Sequence, residues 1–414
     1  MKLLEKYSFG IGDRFGHQAE AQLQAMIDIA QEGIDVTPVW NKSYREHTTI
    51  KTKPEDTRTA ADKAIQTSAW NKSYYCDADH ISLNNVELFT DACDFFTIDV
   101  ADFIGQAAPD NEIEEFSAKY SSMAGELAIP GIDTLKITKD QIRQIARKVL
   151  LAVKEAGKIY KKIVSIKGKG TFITEISMDE TDIPQSPVEM LFILIAIAEQ
   201  DIPAQTIAPR FTGRFNKGVD YVGDATKFEQ EFEQDAAVIR YAVNQFNLPK
   251  NLKLSVHSGS DKFSIYPAIN RTIKKYDTGI HVKTAGTSWL EEIIGLSRAG
   301  GKAFDMAKRI YKEAYERYDE LCKPYAAVID INPSKLPTPS QIDSYSSELF
   351  SIALEHNPKC PQYNPDLRQL IHVGYKVAAE LGSEYTDMLK ENKDIISECV
   401  RKNILEKHIK PIFC

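Results

Sequence analysis

The sequence predicts an α/β protein built as a closed (β/α)8 TIM-type barrel, and three observations lead to this fold class. Short apolar runs alternate with helical patterns from one end of the chain to the other. About eight of these runs have the length and alternation of strands. Neighbouring strands in such an order run parallel and are joined by right-handed crossovers. A doubly wound open sheet is the alternative, but only a barrel brings all the strand ends to one mouth.

The predicted strands are apolar runs that stop at loop-forming residues. They lie at 7–11, 74–80, 94–100, 171–180, 205–210, 252–256 and 279–283. Residues 370–375 form either a last short strand or the start of a helix. Apolar residues at helical spacing predict helices at 17–31, 138–162, 187–199, 227–246, 289–327 and 340–354. The pentapeptide WNKSY occurs at 40–44 and again at 70–74, which we interpret as coincidence because a solenoid needs several repeats.

The chain has 414 residues, of which 43% are hydrophobic, and this is enough for a large core. We expect a single barrel domain over residues 1–414. The segment at about 101–160 is too long for one crossover helix and predicts a helical insertion. Helical patterns over about 340–414 predict additional C-terminal helices.

Composition excludes several classes of partner. The net charge is −8, whereas a nucleic-acid binder or a protein of anionic membrane surfaces needs a basic face. The longest apolar run, 190–198, is too short to cross a bilayer. The N-terminal residues lack the apolar segment of a secretory signal, and the six cysteines lack CxxC spacing. We therefore expect reduced thiols in a cytoplasmic protein.

Two consecutive predicted strands each have a histidine, one at the strand end and one within the strand. Polar residues follow both histidines. His257 closes the run at 252–256, and Asp261 and Lys262 follow in a Gly/Ser loop. His281 and Lys283 occupy the next strand in the same local plan. The alternative is a pair of partly buried histidines that bond to loop backbone. Because the same plan occurs twice, we favour a functional site at these strand ends.

Two earlier strands also end in charged residues. Asp13 and Arg14 follow the first strand; they either line a site or form a structural pair that closes the turn. The surrounding GIGDRFG lacks the GxGxxG spacing of a nucleotide-binding turn. Asp79 and His80 end the strand at 74–80, but adjacent strand residues point to opposite faces. Both can face one site only if the strand is already turning there.

A closed barrel would bring these groups together although they are far apart in sequence. Glu175 and Arg210 end two further strands. Several histidines and a carboxylate on separate strands suit a Zn, Mn, Ni, Co or Fe(II) site with an open position. Such a cation acts as a Lewis acid, and a remaining carboxylate can move protons. Arg210, Lys262 and Lys283 could hold a substrate carboxylate or phosphate.

Four segments resemble the tagaturonate epimerase family. They are YSFGIGDRFG at 7–16, DADHI at 77–81, VHSGSDKFSIYP at 256–267 and HVKTAGTSWLE at 281–291. The resemblance implies a cytosolic, divalent-metal-dependent enzyme of hexuronate catabolism. Its substrate would be a keto-hexuronate, because the family interconverts D-tagaturonate and D-fructuronate.

The resemblance also implies roles for single residues. Asp79 matches the acid/base, and His80, His257 and His281 match metal ligands. Strand position adds Glu175 as a second catalytic carboxylate, and it leaves open whether Glu175 or His372 completes the metal shell. The remaining charged strand-end residues are assigned to substrate binding: Asp13, Arg14, Arg210, Asp261, Lys262 and Lys283. Another metal-dependent sugar isomerase or aldolase is an alternative, and so is a non-catalytic sugar-acid sensor.

Overall fold

The fold is a barrel of parallel strands, seen in a computed structural model that describes residues 1–284 and 286–414. The described strands are β1 (Tyr7–Gly12), β2 (Thr37–Ser43), β3 (Tyr75–Ile81), β4 (Phe95–Asp99), β5 (Gly125–Leu127), β6 (Leu135–Ile137), β7 (Ile173–Ser177), β8 (Ala204–Ala208), β9 (Lys253–His257) and β10 (Ile280–Thr284). Eight of them close in the order β1-β10-β9-β8-β7-β4-β3-β2. Because β1 pairs with both β2 and β10, the sheet has no free edge. The predicted (β/α)8 barrel is therefore confirmed.

Helices surround the barrel and extend the chain beyond it. Their bounds are α1 (Ala19–Gln31), α2 (Tyr44–Ile50), α3 (Pro54–Thr67), α4 (Asp110–Lys119), α5 (Lys139–Lys167), α6 (Pro187–Glu199), α7 (Ala225–Gln245), α8 (Tyr266–Lys275), α9 (Thr287–Ala299), α10 (Gly301–Glu316), α11 (Tyr318–Cys322), α12 (Pro339–Asp343), α13 (Ser347–Leu354), α14 (Pro365–Val373), α15 (Tyr375–Leu381), α16 (Ser383–Glu391), α17 (Lys393–Lys402) and α18 (Lys410–Phe413). Each helix predicted from periodicity is present, although 289–327 is divided among α9, α10 and α11, and 340–354 is divided between α12 and α13.

One barrel strand, β2, lacks the signal by which strands are recognised. It contains Pro38, which removes a ladder donor, and its polar residues Asn41 and Lys42 are buried. The eighth strand is therefore this one, and the strand interpretation of residues 370–375 is wrong because they lie in α14 and α15. The first WNKSY copy forms part of β2, whereas the second is irregular chain before β3.

The barrel interior is apolar at the bottom and polar at the top. A small cluster of Leu4, Val39, Tyr75, Phe95 and Ile173 fills the bottom. The main apolar core lies outside, between the strands and the helices. Inward residues nearer the carboxyl ends of the strands are charged or polar. Such a layout leaves the upper interior for chemistry, as in other barrels of this type.

The connection from β4 to β7 holds the predicted insertion. It contains α4, the antiparallel hairpin β5–β6 and the 29-residue helix α5. Thr138 caps α5 by accepting a hydrogen bond from the Gln141 amide at 3.1 Å. Helix α5 packs against α6 and serves as the crossover. The insertion thus adds a hairpin as well as a helix to the outside of the barrel.

The C-terminal helices pack on one side of the barrel. Helix α17 lies against α1 and α9, and α18 lies against α8.

All six cysteines are free thiols. Among the described residues, no helix combines the length and apolar character needed to span a membrane.

Candidate metal centre and active site

The end of β3 turns so that Asp79 and His80 both reach the barrel mouth. The register between β3 and β4 shifts between Ala78 and Ile81, and His80 has a φ of 51°. A bulge of this kind re-aims a side chain. His80 Nδ1 lies 2.9 Å from Asp79 Oδ1. The objection that adjacent strand residues point to opposite faces therefore does not apply here.

Three side chains at the mouth converge as a metal site would require. His80, Asp179 and His257 place one ligand atom each within 4.8 Å of the others. His257 Nδ1 is 3.1 Å and His80 Nε2 is 3.5 Å from Asp179 Oδ1. Both nitrogens are buried and have no hydrogen-bond partner among the described residues. Two unpaired imidazole nitrogens aimed at one carboxylate oxygen fit a shared divalent cation.

The other nitrogen of each ring is held by a carboxylate. Asp79 contacts His80 Nδ1, and Glu175 Oε1 lies 2.8 Å from His257 Nε2. Such carboxylate–histidine pairs fix the ring orientation and leave the second nitrogen for a metal. In the described structure Ser177 also donates to Asp179 Oδ1 at 2.5 Å. The three candidate ligand side chains are thus each oriented by a neighbour.

Charge balance in the triad also suits a cation. Burial lowers the pKa of His257, but Asp179 and Glu175 outweigh it and raise that pKa to about 9. Burial raises the pKa of Asp179, but His257 and His80 bring it well below its usual range. The triad side chains of His80 and Asp179 each keep 22% of their surface exposed. A cation entering from the mouth would replace the imidazole protons.

Lys283 lies directly below the triad and is surrounded by carboxylates. Its Nζ is 2.7 Å from Asp77 Oδ2, 3.0 Å from Asp79 Oδ1 and 2.9 Å from Glu175 Oε1. Burial lowers the pKa of Lys283, but these carboxylates raise it well above its usual range. Lys283 was predicted to bind substrate. In this structure its amine is instead paired with three carboxylates of the protein itself.

The carboxylates around Lys283 differ in their protonation. Burial raises the pKa of Asp77 to about 7, although Lys283 opposes the effect. Asp79 and Glu175 are lowered well below their usual pKa because Lys283 and a histidine outweigh burial. Gly10 makes room for the lysine, since a Cβ there would lie 2.7 Å from Lys283 Cγ. The sequence prediction included Asp79 and Glu175 but missed Asp77.

Asp179 was also missed, although a signal for it exists. It follows β7 by two residues in a run that the sequence shows to end in acids. Strand position favoured Glu175 as a catalytic carboxylate. It does not indicate which of the acids after the strand end has its side chain directed into the barrel. The loop conformation after Ser177 decides this, and no pattern in the sequence encodes it.

His281 lies deeper in the barrel than the triad. It precedes Lys283 by two residues on β10, and its Nδ1 is 2.9 Å from the Ser8 hydroxyl on β1. Its ring centroid is 5.2 Å from that of Phe95 at the barrel bottom. Burial lowers the pKa of His281 to about 3, so the ring is neutral. Its assignment as a metal ligand stays a prediction, and the triad geometry does not include it.

Asp13 and Arg14 are engaged in loop structure. Asp13 accepts hydrogen bonds from the backbone amides of Gly16, His17 and Gln18. The Arg14 Nε lies 3.0 Å from Glu46 Oε1, and its guanidinium stacks on the Tyr375 ring at 4.0 Å. Asp13 therefore closes the turn, as in the structural alternative, but Arg14 pairs with Glu46 and not with Asp13.

Asp261 and Lys262 belong to a buried network behind the mouth. Asp261 contacts Arg368 at 2.7 Å, and His356 and His408 at 3.1 Å each. The Lys262 amine donates to the carbonyls of Asn216, at 3.0 Å, and Val219, at 2.8 Å. Burial lowers the pKa of Lys262 to about 7. Substrate contact by either residue stays a prediction, since in this structure both connect loops to the C-terminal helices.

Of the three residues predicted to bind an anion (Arg210, Lys262 and Lys283), Arg210 is the one whose side chain remains available for a substrate. Its Nη1 donates to the Asp179 carbonyl at 3.4 Å, which places it beside the triad. Within residues 1–284 and 286–414 it makes no ion pair.

His372, considered for the metal shell, is buried in α14 with its Nε2 against Gly286.

The sequence as a whole matches one known family. Residues 2–412 match the sequence model of a family described as tagaturonate epimerase. The chain belongs to the tagaturonate epimerase family. This confirms the resemblance noted in four short segments and extends it to nearly the full length. Members of the tagaturonate epimerase family are isomerases, so the protein is an enzyme of that class.

Individual members of the tagaturonate epimerase family agree with this assignment. The tagaturonate/fructuronate epimerase of Thermotoga maritima is 27% identical over 420 residues, covering 97% of this chain and 80% of that protein. The glycerol-complexed crystal structure of fructuronate-tagaturonate epimerase from Cohnella laeviribosi has a TM-score of 0.82 at 23% identity, covering 99% of this chain and 82% of that chain. The native structure of the same enzyme has a TM-score of 0.80 at 22% identity, covering 100% and 82%. These likenesses support the barrel fold.

Proposed function

We propose that this enzyme interconverts D-tagaturonate and D-fructuronate and depends on a divalent metal held by His80, Asp179 and His257. The observation that carries the proposal is the position of this triad. It lies at the carboxyl mouth of the barrel, where such folds hold their active sites, in a chain of the tagaturonate epimerase family. Two imidazoles and one carboxylate suit Zn, Mn, Ni, Co or Fe(II).

The substrates constrain the chemistry. Counted from the carboxylate, they differ at C3, whereas the ketone is at C5. The hydrogen on C3 is not adjacent to the ketone, so enolisation cannot remove it. Cleavage of the C3–C4 bond, rotation of the C3 aldehyde and re-formation of the bond would invert C3 and keep its hydrogen. When bound, the metal would supply Lewis-acid stabilisation of the charge that develops on the ketone oxygen.

In this route the chain must accept and return one hydroxyl proton. Asp79 is the carboxylate best placed to do so. Its Oδ1 is occupied by His80 and Lys283, while its Oδ2 accepts no hydrogen bond from a described residue and the side chain keeps 10% of its surface exposed. As C3–C4 breaks, the proton of the C3 hydroxyl passes to Asp79, and the bonding pair stays with C4 and C5 as an enediolate.

Glu175 and Lys283 act through other groups. Glu175 is fully buried beneath His257 and Lys283, so we assign it an orienting role. Lys283 holds Asp79 and Glu175 ionised, which keeps Asp79 ready to accept a proton. The reverse steps return the proton from Asp79 to the new C3 hydroxyl, so atoms and charge balance over the cycle.

The test combines metal analysis with turnover. Purified protein is assayed for bound metals by inductively coupled plasma mass spectrometry, and for conversion of both keto-hexuronates by proton NMR. We expect about one divalent metal per chain, loss of turnover with a chelator, and recovery with one of the five metals. Full turnover in the metal-free protein would reject the metal requirement.

The same assay separates the alternatives. Turnover of neutral ketoses or cleavage to three-carbon products, without hexuronate epimerisation, would indicate another sugar isomerase or an aldolase. Binding of hexuronates without any turnover would indicate a sensor. Neither alternative is favoured by a contact in the structure.

A further inference from the structure

Lys217, a lysine at the barrel mouth, forms no ion pair among the described residues. Lys217 lies in the loop between β8 and α7, and among the described residues its amine makes no hydrogen bond or ion pair. A Cβ on Gly259 would lie 3.4 Å from Lys217 Nζ, so the amine lies over the loop that begins two residues after His257. Glu180, which follows Asp179, is an acidic neighbour. Lys217 therefore lies between the loop that carries Asp179 and the loop that follows His257.

Two arginines and two glutamates are the charged groups that act on Lys217. Burial is the main cause that lowers its pKa, and Arg45 and Arg14 lower it further, while the exposed Glu180 and the buried Glu46 oppose them. Glu46 is paired with Arg14. Arg45 stacks over the Tyr325 ring at 5.2 Å and forms no ion pair in the described part of the chain. Lys217 and Arg45 thus both lack an ion-pair partner among the described residues on this side of the mouth.

His372 lines the same positive region. It is 1% exposed, and burial together with Arg14, Lys217, Arg368 and Lys262 lowers its pKa well below the usual range. Bringing cations together in a half-buried place is unfavourable unless an anion compensates them. The chain as a whole is acidic, with a net charge of −8, so the cluster is a local exception.

The backbone that carries Lys217 is held firmly in place. Lys262 donates to the carbonyls of Asn216 and Val219 on either side of it. Arg368 donates to the Gly218 carbonyl at 2.6 Å, and Ser260 accepts from the Gly218 amide at 2.9 Å. All these contacts are buried. Preorganisation of this kind is typical of residues that must meet a ligand in one place.

We infer that Lys217 and Arg45 bind the carboxylate of the keto-hexuronate and so direct its ketone end toward the triad. The inference rests on the proposed function and extends it to a site for the substrate's charge. In the cleavage route the carboxylate stays on the three-carbon aldehyde fragment. Its anchor would retain that fragment while the aldehyde carbon turns about the C2–C3 bond. Lys283 cannot serve this purpose because three carboxylates already surround it.

Calorimetry with a non-reacting pair of ligands tests the anchor. D-Gluconate has the carboxylate and D-glucitol is its neutral counterpart; both are titrated into the metal-loaded protein. We expect Lys217→Met to raise the Kd of D-gluconate about tenfold or more, because a charge-assisted hydrogen bond is lost, and to leave the Kd of D-glucitol within about twofold. Lys227→Met, at an exposed lysine of α7, is the matched control and should change neither value.

Two further variants test carboxylate binding independently of Lys217→Met. Lys217→Arg should restore most of the preference for D-gluconate, and Arg45→Met gives an independent test at an exposed position if Lys217→Met does not fold. An equal change for both ligands, or none, overturns the anchor even if the wild-type protein epimerises keto-hexuronates. Absence of turnover in the wild type would instead reject the proposed function, while a selective loss of D-gluconate binding would still support the anion site.

Discussion

Asp79 and His80 are neighbours in β3, and yet the Oδ1 of one lies 2.9 Å from the Nδ1 of the other. The bulge at the strand end and the positive φ of His80 make this contact possible. A non-glycine residue in that conformation is strained by about 1–3 kcal/mol. This conformation aims the His80 Nε2 at Asp179, 3.5 Å from its Oδ1.

Removal of a triad ligand should remove the metal. We expect His257→Ala and Asp179→Asn to lose most bound metal and activity while they remain folded, since each takes away one of three ligands. Metal content by mass spectrometry and far-UV circular dichroism are the measurements. Asp182→Asn, an exposed acid in the same loop, is the control. Full metal occupancy in either triad variant would exclude that residue from the ligand set.

His281 offers a contrast with the triad. Because its ring bonds to Ser8 below Lys283, we expect His281→Gln to keep the metal. The variant should lose stability of about 1–3 kcal/mol, as for a disturbed buried hydrogen bond. Metal content and denaturant unfolding report the two effects separately. Loss of metal without loss of stability would place His281 among the ligands after all.

Lys283→Met should destabilise the fold strongly. It leaves Asp77, Asp79 and Glu175 without their shared cation, and breaking a buried pair costs about 3–5 kcal/mol. Denaturant unfolding measures this free energy, with the exposed Lys169→Met as control. The double variant Asp77→Asn/Lys283→Met should recover part of the loss. Equal stabilities of the single and double variants would show that Asp77 is not coupled to the lysine.

Glu292 should make stability depend on pH. Burial and Asp13 raise its pKa to about 8, although Tyr385 and Gln18 donate to it. A carboxyl whose pKa is higher in the folded state stabilises at low pH, and this contribution is lost as pH rises from about 4.5 through about 8, by at most about 1.4 kcal/mol per unit. Glu292→Gln should remove the effect.

The comparison is made by denaturant unfolding at pH 5.5 and 8.5. Relative to wild type, Glu292→Gln should gain stability at the higher pH, whereas the exposed Glu348→Gln should give the same difference at both. A wild-type-like pH dependence in Glu292→Gln would show that another group is responsible.

Isotope labelling tests how C3 is inverted. If a carboxylate removed the C3 proton, the epimer formed in deuterium oxide would carry deuterium at C3. Cleavage of C3–C4 keeps the original hydrogen, and Asp79 exchanges only a hydroxyl proton. We expect no deuterium at C3 by proton NMR of the product. Its incorporation at the rate of turnover would reject C3–C4 cleavage and make Asp79 and Glu175 a pair of bases.

Much of the site was predictable because strand ends can be read from apolar runs. His80 and His257 were placed correctly at the mouth by this argument, and so was the carboxylate of Asp79 next to His80. His281 and Lys283 have the same local pattern as His257, but the strand register places them at lower levels. The lysine there meets carboxylates from β3 and β7, which no local pattern reveals.

Local patterns predicted the barrel class, most helices, the family and the strand-end positions of His80 and His257, because periodicity and long motifs are local properties. Tertiary contacts were needed to show that β2 is the eighth strand, that Asp179 faces the histidines, and that Lys217, unlike Lys283, forms no ion pair among the described residues. Each of these depends on distances between groups that are far apart in the chain. Barrel closure and loop conformation set those distances, and electrostatic pairing follows distance rather than sequence.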